Sequence, residues 1–151
     1  MTSHVRWGDK VCSPLIGRGE ADFFLAFEKL EAVRHIEMLR PGGVMLVNDY
    51  AISPLSVSSG DDEYPDDERI KVVLAAATPN YYWVPGMRLA EELGNARVNN
   101  VVMLGVFSHH ISVKEEVWRS VIEDSVPTRF MDLNLEAFSK GRGWAEGRRG
   151  A

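Results

Sequence analysis

His4-Val5-Arg6 sets two basic side chains two residues apart. In an extended chain that spacing places His4 and Arg6 on one face and Val5 on the other. Such a pair can hold an anionic ligand or a partner carboxylate, and a cross-strand ion pair would use the same residues equally well. Asn48 and Asp49 directly follow the apolar run Val44-Met45-Leu46-Val47. Ligands of open α/β sheets collect beyond the carboxyl ends of strands, so these two residues are placed to touch one, with turn capping as the competing role. Asn95, Arg97, Asn99 and Asn100 gather where a helix is expected to begin, a favourable place for phosphate. Capping by Asn95 and plain solvent exposure of the others account for the same pattern.

Other chemistry is sparse. His109 and His110 are adjacent, so on a helix they point about 100° apart and cannot share a metal in the i, i+4 manner. A helix C-terminus is their expected setting. Cys12 is the single cysteine, which excludes an internal disulfide and a cluster bound by four thiolates. Its apolar, alternating surroundings predict a buried small residue. No Gly-x-Ser-x-Gly elbow, P-loop or Gly-x-Gly-x-x-Gly fingerprint occurs. The residues present do not assemble a complete active site.

The elements that must position these groups follow from periodicity. Residues 4–7 and 10–16 read as two short strands joined by Gly8-Asp9, an N-terminal hairpin. Ala21 to Phe27 is a nearly continuous apolar run, as in a strand covered on both faces. From Glu28 the spacing of Ala32, Val33, Ile36 and Leu39 predicts a helix of about three turns, ended by Arg40-Pro41-Gly42-Gly43. Val44 to Val47 follows as a second buried strand, completing a parallel βαβ unit. Residues 58–68 (SSGDDEYPDDE) read as an exposed acidic loop without the oxygen spacing of an EF-hand. Arg69 to Ala77 forms a helix capped by Asp66 or Asp67, and Tyr81 to Val84 a third strand.

Beyond it the chain turns helical. One helix runs from Pro85 to Gly94, and a second, capped by Asn95, contains Val98, Val101, Val102 and Gly105. Gly105 is suited to the close approach of a neighbouring backbone. A third starts at the capping box Ser112-Val113-Lys114-Glu115, and Asn134 caps a short last helix. The fold class is therefore α/β: a Rossmann-like open sheet with a parallel βαβ core, an N-terminal hairpin and a helical C-terminal half. Residues 1–140 form one domain, and the Gly- and Arg-rich stretch 141–151 is a flexible tail.

Composition narrows the function classes. The 151 residues are 45% hydrophobic, enough for one sizeable core. A net charge of -5 speaks against a polyanion-binding surface, so nucleic acid is not an expected partner. No apolar run approaches the roughly 20 residues that span a bilayer, and no signal peptide is evident, so the cytoplasm is the default compartment and no membrane partner is expected.

Three blocks in the same order carry a family resemblance: residues 3–49, LAEELGNARVNNVVMLGVF and MDLNLEAF. Within them Ser3-His4-Val5-Arg6, Ser13-Pro14-Leu15-Ile16 and Glu92-Leu93-Gly94-Asn95 are the sharpest local matches. The chain resembles the gamma-type domain of 2-oxoacid:ferredoxin oxidoreductases, and most closely the small, beta subunits of the indolepyruvate-type enzymes. The resemblance implies an accessory subunit in the oxidative decarboxylation of aryl 2-oxoacids to acyl-CoA. It implies a large catalytic subunit as partner, with thiamine diphosphate and iron-sulfur clusters on that subunit, coenzyme A as co-substrate and ferredoxin as acceptor through the complex. No cofactor is expected on this chain alone, and an oligomer is expected.

Members of the family normally begin earlier, with a strand entering a Gly-x-Gly-Gly-Gln-Gly loop; here Met1-Thr2 stand where that segment would have ended, so an N-terminal truncation is expected. Tyr81 to Gly86 (YYWVPG) departs from the smaller residues and acid usual at that place. A nucleotide-binding module and a non-catalytic scaffold derived from the same subunit are the alternatives.

Overall fold

In the computed structural model, which describes residues 2–60 and 62–148, three parallel strands lie in the order of the sequence. They are β1 (Ala21–Ala26), β2 (Leu39–Asn48) and β3 (Tyr81–Val84). Phe23 to Ala26 pair with Val44 to Val47, and Met45 to Asn48 pair with Tyr81 to Val84. Between β1 and β2 run α1 (Lys29–Arg34) and a 3₁₀ turn (Ile36–Met38); between β2 and β3 run α2 (Leu55–Ser58) and α3 (Asp67–Ala77). The chain then continues through α4 (Gly86–Glu92), a 3₁₀ turn (Ala96–Val98), α5 (Asn99–Ser108), α6 (Glu115–Ser125) and α7 (Thr128–Glu146).

The alternation of β2 decides what covers each face of the sheet. Met45 and Val47 point to one side, where Ala26, Ala32, Ile70 and Leu74 bury them beneath α1 and α3. Leu46 points to the other, against Val84, Met103, Val106 and Ala145 of the C-terminal half. A further layer joins Leu89, Ala90, Val98, Val102 and Ala137. The parallel βαβ core and the helical C-terminal half thus stand as the periodicity indicates.

Backbone-to-backbone contact fixes how α5 crosses α7. A Cβ on Gly105 would lie 2.1 Å from the Phe138 carbonyl oxygen, and one on Gly141 would lie 1.9 Å from that of Val102. The close approach expected at Gly105 is present, and Gly141 is its counterpart on the facing helix.

Several local expectations are corrected. Residues 4–16 form no hairpin strands: side chains replace the ladder, with the Ile16 N–H donating to His4 Nδ1 (3.0 Å) and Arg6 Nη1 to the Leu15 carbonyl (2.9 Å). Pro14, with no N–H, stands in the returning limb and weakens any ladder there. Cys12, on this unpaired segment, is exposed rather than buried.

The first helix is shorter than its apolar spacing suggests, because Leu39 is already paired with Ala21 in the sheet. Arg40 to Gly43 therefore bulge out within β2, where Thr78 Oγ1 donates to the Gly43 carbonyl (2.6 Å) and Asn80 Nδ2 to that of Gly42 (3.0 Å).

Ser112 does not cap α6. The Val113 N–H bonds Ile111 in a tight turn and the helix begins only at Glu115. Asn134 lies inside α7, buried, donating from Nδ2 to the Phe130 carbonyl one turn back (2.8 Å). That helix starts after Pro127 and continues through residues 141–146, which the composition assigns to a tail. Residues 149–151 of that tail lie outside the described residues.

Candidate functional site

The carboxyl edge of the sheet gathers the richest set of polar side chains. Glu28 and Lys29 follow β1, and Asn48 closes β2 with Asp49 after it. Glu28 is the N-cap of α1: its carboxylate accepts the Glu31 N–H (2.9 Å), the Ile52 N–H (3.2 Å) and the Tyr64 hydroxyl. One buried carboxylate therefore ties the start of α1 to the beginning and the end of the long β2–α3 connection.

Lys29 makes the second tie. Its ammonium lies 2.8 Å from Asp49 Oδ1 and 2.8 Å from Asp67 Oδ1, and 5.2 Å from the centre of the Trp83 ring on β3. Asp66 caps α3 through the Arg69 N–H (2.8 Å), which leaves Asp67 free for this pairing. Burial works to lower the Lys29 pKa, but the hydrogen bonds it donates to Asp49 and Asp67 outweigh that and hold the ammonium above its ordinary value. Burial and the Glu28 carboxylate both push the Tyr64 phenol well above its ordinary value. At neutral pH both groups stay protonated. They are fixed charge and hydrogen-bond donors, and neither is a nucleophile or a base.

Asn48 joins this edge to the other side of the sheet. Wholly buried, it donates from Nδ2 to the Phe27 carbonyl (3.2 Å) and to Asn99 Oδ1 (2.9 Å), pinning the start of α5 to the ends of β1 and β2. Its Oδ1 lacks a hydrogen-bond partner and rests against Gly86, where a Cβ would come within 2.7 Å.

Of the residues singled out from sequence, Asn48, Asp49 and Asn99 meet at this edge. His4 and Arg6 bind their own returning limb elsewhere, at the opposite end of β1. Asn95 caps the 3₁₀ turn through the Arg97 N–H (3.0 Å); Arg97 and Asn100 are exposed, and Asn100 accepts the Val101 N–H (3.0 Å). His109 stands at the C-terminus of α5 as expected. Glu28, Lys29, Tyr64, Asp67 and Trp83 were not singled out. The signal for the first two was the rule applied to Asn48 and Asp49, since they too directly follow an apolar strand.

Three parallel strands, covered on one face by α1 and α3 and on the other by the C-terminal helices, define an α/β domain with a polar carboxyl edge. Residues 1–144 match the model of the pyruvate ferredoxin/flavodoxin oxidoreductase family, and the chain belongs to that family. It is 36% identical over 142 residues to indolepyruvate oxidoreductase subunit IorB of Thermococcus kodakarensis, covering 92% of this chain and 70% of that protein. The protein of the same name from Pyrococcus horikoshii is 35% identical over the same shares.

Among solved structures, the gamma subunit of a keto/oxoacid ferredoxin oxidoreductase from Geobacter sulfurreducens superposes with a TM-score of 0.60 at 24% identity, over 85% of this chain and 66% of that one. A 2-oxoglutarate:ferredoxin oxidoreductase from Magnetococcus marinus, with 2-oxoglutarate, coenzyme A and succinyl-CoA bound, gives 0.61 at 24% identity. The match takes in 88% of this chain but 21% of that one, so the same fold occurs there as part of a much longer polypeptide.

Proposed function

We propose that this chain is the accessory subunit of an indolepyruvate-type 2-oxoacid:ferredoxin oxidoreductase. The observation that carries this reading is the family match along nearly the whole chain to relatives that share one name. In the overall reaction an aryl 2-oxoacid and coenzyme A give an acyl-CoA and carbon dioxide, while the electrons pass to ferredoxin. Thiamine diphosphate and iron-sulfur clusters belong to a large catalytic subunit, which supplies the decarboxylation and electron-transfer chemistry. A single cysteine on this chain does not fit a cluster with four thiolate ligands.

What this chain supplies is placement. Its carboxyl edge, with Lys29 held between Asp49 and Asp67 and Asn48 holding α5, is the face turned toward the large subunit and the coenzyme A region. The Glu28 and Lys29 ties keep the β2–α3 connection in one position there, so the large subunit meets a preformed surface. His4 and Arg6 lie at the opposite end of β1 and serve as contacts elsewhere, whereas Asn95, Arg97 and Asn100 stand at the entry to α5 beside the Asn99 that Asn48 holds. The complex works in the cytoplasm; among the described residues no helix is long and apolar enough to cross a membrane.

The test is co-expression with the cognate large subunit, followed by ferredoxin reduction with indolepyruvate and coenzyme A. The expected result is copurification, with activity in the complex and none from the chain alone. Ferredoxin reduction by the isolated chain, or failure to copurify, overturns the reading.

A further inference from the structure

We propose that the two ends of the β2–α3 connection are held by one latch, Glu28 with Lys29, and that they open and close only together. The connection leaves β2 at Asp49 and reaches α3 at Asp66. Its short helix does not hold it down: no residue of α2 is buried, and Leu55 is 85% exposed. The Ser58 and Ser59 N–H groups donate to the Pro54 and Leu55 carbonyls and Ser59 Oγ to that of Ser56, so these bonds stay within the turn. Between the first limb and α1 lies a cavity of about 220 Å³, lined by Glu28, Leu30, Glu31, Arg34, Ile52 and Pro54. The limb therefore stands off the helix once past Ile52.

The ends are held instead, and by two adjacent residues. Glu28 Oε1 accepts the Ile52 N–H (3.2 Å) from the first end and the Tyr64 hydroxyl from the second, so one oxygen atom carries both. The other oxygen, Oε2, is occupied by the Glu31 N–H (2.9 Å). Lys29 repeats the pattern. Its ammonium lies 2.8 Å from Asp49 at the first end and 2.8 Å from Asp67 just past the second, while its backbone N–H donates to the Tyr50 carbonyl (3.0 Å).

Glu28 and Lys29 are both buried. Loss of either end strips a donor from a buried carboxylate and a counter-charge from a buried ammonium, and water must replace them. Water reaches both groups only when the second end has left as well. Half-open arrangements are therefore the costly ones, and the two ends form a single unit of local unfolding. The consequence rests on the reading of the carboxyl edge given above: the large subunit meets an edge that is wholly formed or wholly open. The latch itself belongs to this chain alone, so its test needs no partner and is separate from copurification.

Amide hydrogen exchange of the full chain, followed by NMR, tests it. In the wild type Ile52 should exchange faster than Met45 and Val47 on β2, because its opening is local. Tyr64→Phe keeps the ring and removes the hydroxyl that Glu28 accepts. Through lost global stability it should speed exchange on β2 by about tenfold, and it should speed Ile52, at the other end of the connection, by the same factor. Asp67→Asn, which removes the counter-charge at the second end, should likewise speed Ile52 and β2 equally.

Ile52 exchange that is unchanged, or clearly less changed than that of β2, means that the ends open separately and overturns the proposal. Wild-type exchange of Ile52 at the β2 rate overturns it too, since the connection would then open only with the whole fold. So does a Tyr64→Phe chain in which neither rate is altered.

Discussion

Lys29 shows how much one side chain can do at the end of a strand. It is the cation for Asp49 on the connection after β2 and for Asp67 on α3, and it lies against Trp83 on β3. Replacing it with alanine leaves two carboxylates close together with nothing between them, and should cost about 2 kcal/mol in urea unfolding. Lys29→Met, which keeps the stem but not the charge, should recover only part of that.

The same cluster sets an alkaline limit. Lys29 and Tyr64 both have folded-state pKa values raised above their ordinary 10.5 and 10.0. Their protonated forms are thus favoured by the fold, and their stabilisation is complete below pH 10. It is lost as pH rises through the raised values, because the unfolded chain gives up those protons first. Thermal unfolding followed from pH 8 to 12 should show the midpoint falling above pH 10, and less steeply in Tyr64→Phe. An unchanged slope in that variant would remove Tyr64 from the account.

Among the elements, the α5–α7 crossing offers a sharp internal contrast. Gly141→Ala drives a methyl group into the Val102 carbonyl, and should destabilise by about 3 kcal/mol through forced separation of the helices. Gly143→Ala, two residues along the same helix and with nothing within 4 Å, should stabilise by about 1 kcal/mol through helix propensity alone. Equal effects in chemical denaturation would mean that the crossing is looser than described.

The elements that packing dictates were the ones the sequence showed plainly. The apolar runs of β1, β2 and β3 and the stripe of α3 state their own burial, so the parallel order could be inferred. Ends and arms depended on less visible competitors. Leu39 left the first helix because Ala21 offered a strand partner, and Ser112 lost its capping position to the Val113–Ile111 turn. Asn134 satisfied itself on the preceding turn of a helix that it looked suited to start. At the candidate site Asn48 and Asp49 were visible as polar residues after a strand. The partners that complete the cluster, Tyr64 and Asp67, come from an acidic stretch whose composition suggested solvation and, for Asp67, at most a helix cap.

At the scale of the whole molecule, the two ends of the sheet are differently equipped. The carboxyl edge is closed by hydrogen-bonded charge at Glu28 and Lys29, whereas the amino end carries exposed apolar side chains on the N-terminal arm (residues 2–20) and on α6. Removing the edge cluster and removing the arm should therefore have separable effects. Lys29→Ala should lower the melting temperature, and Trp7→Ala, on the exposed arm, should leave it unchanged; calorimetry of the two variants would show it.

The division of labour between the sheet's two faces also bears on how the chain is made. Both crossovers, α1 and α3, cover the same side, so that side is complete once residue 84 has been synthesised. The opposite side, with Leu25, Leu46, Tyr82 and Val84, is covered wholly by residues from 103 onward, up to Trp144 and Ala145. At ordinary elongation rates of about 5–20 residues per second, a nascent chain would hold that apolar surface bare for about 3–12 s. The half-made protein on the ribosome is thus a one-sided sheet, and a natural client for whatever shields apolar surfaces during translation.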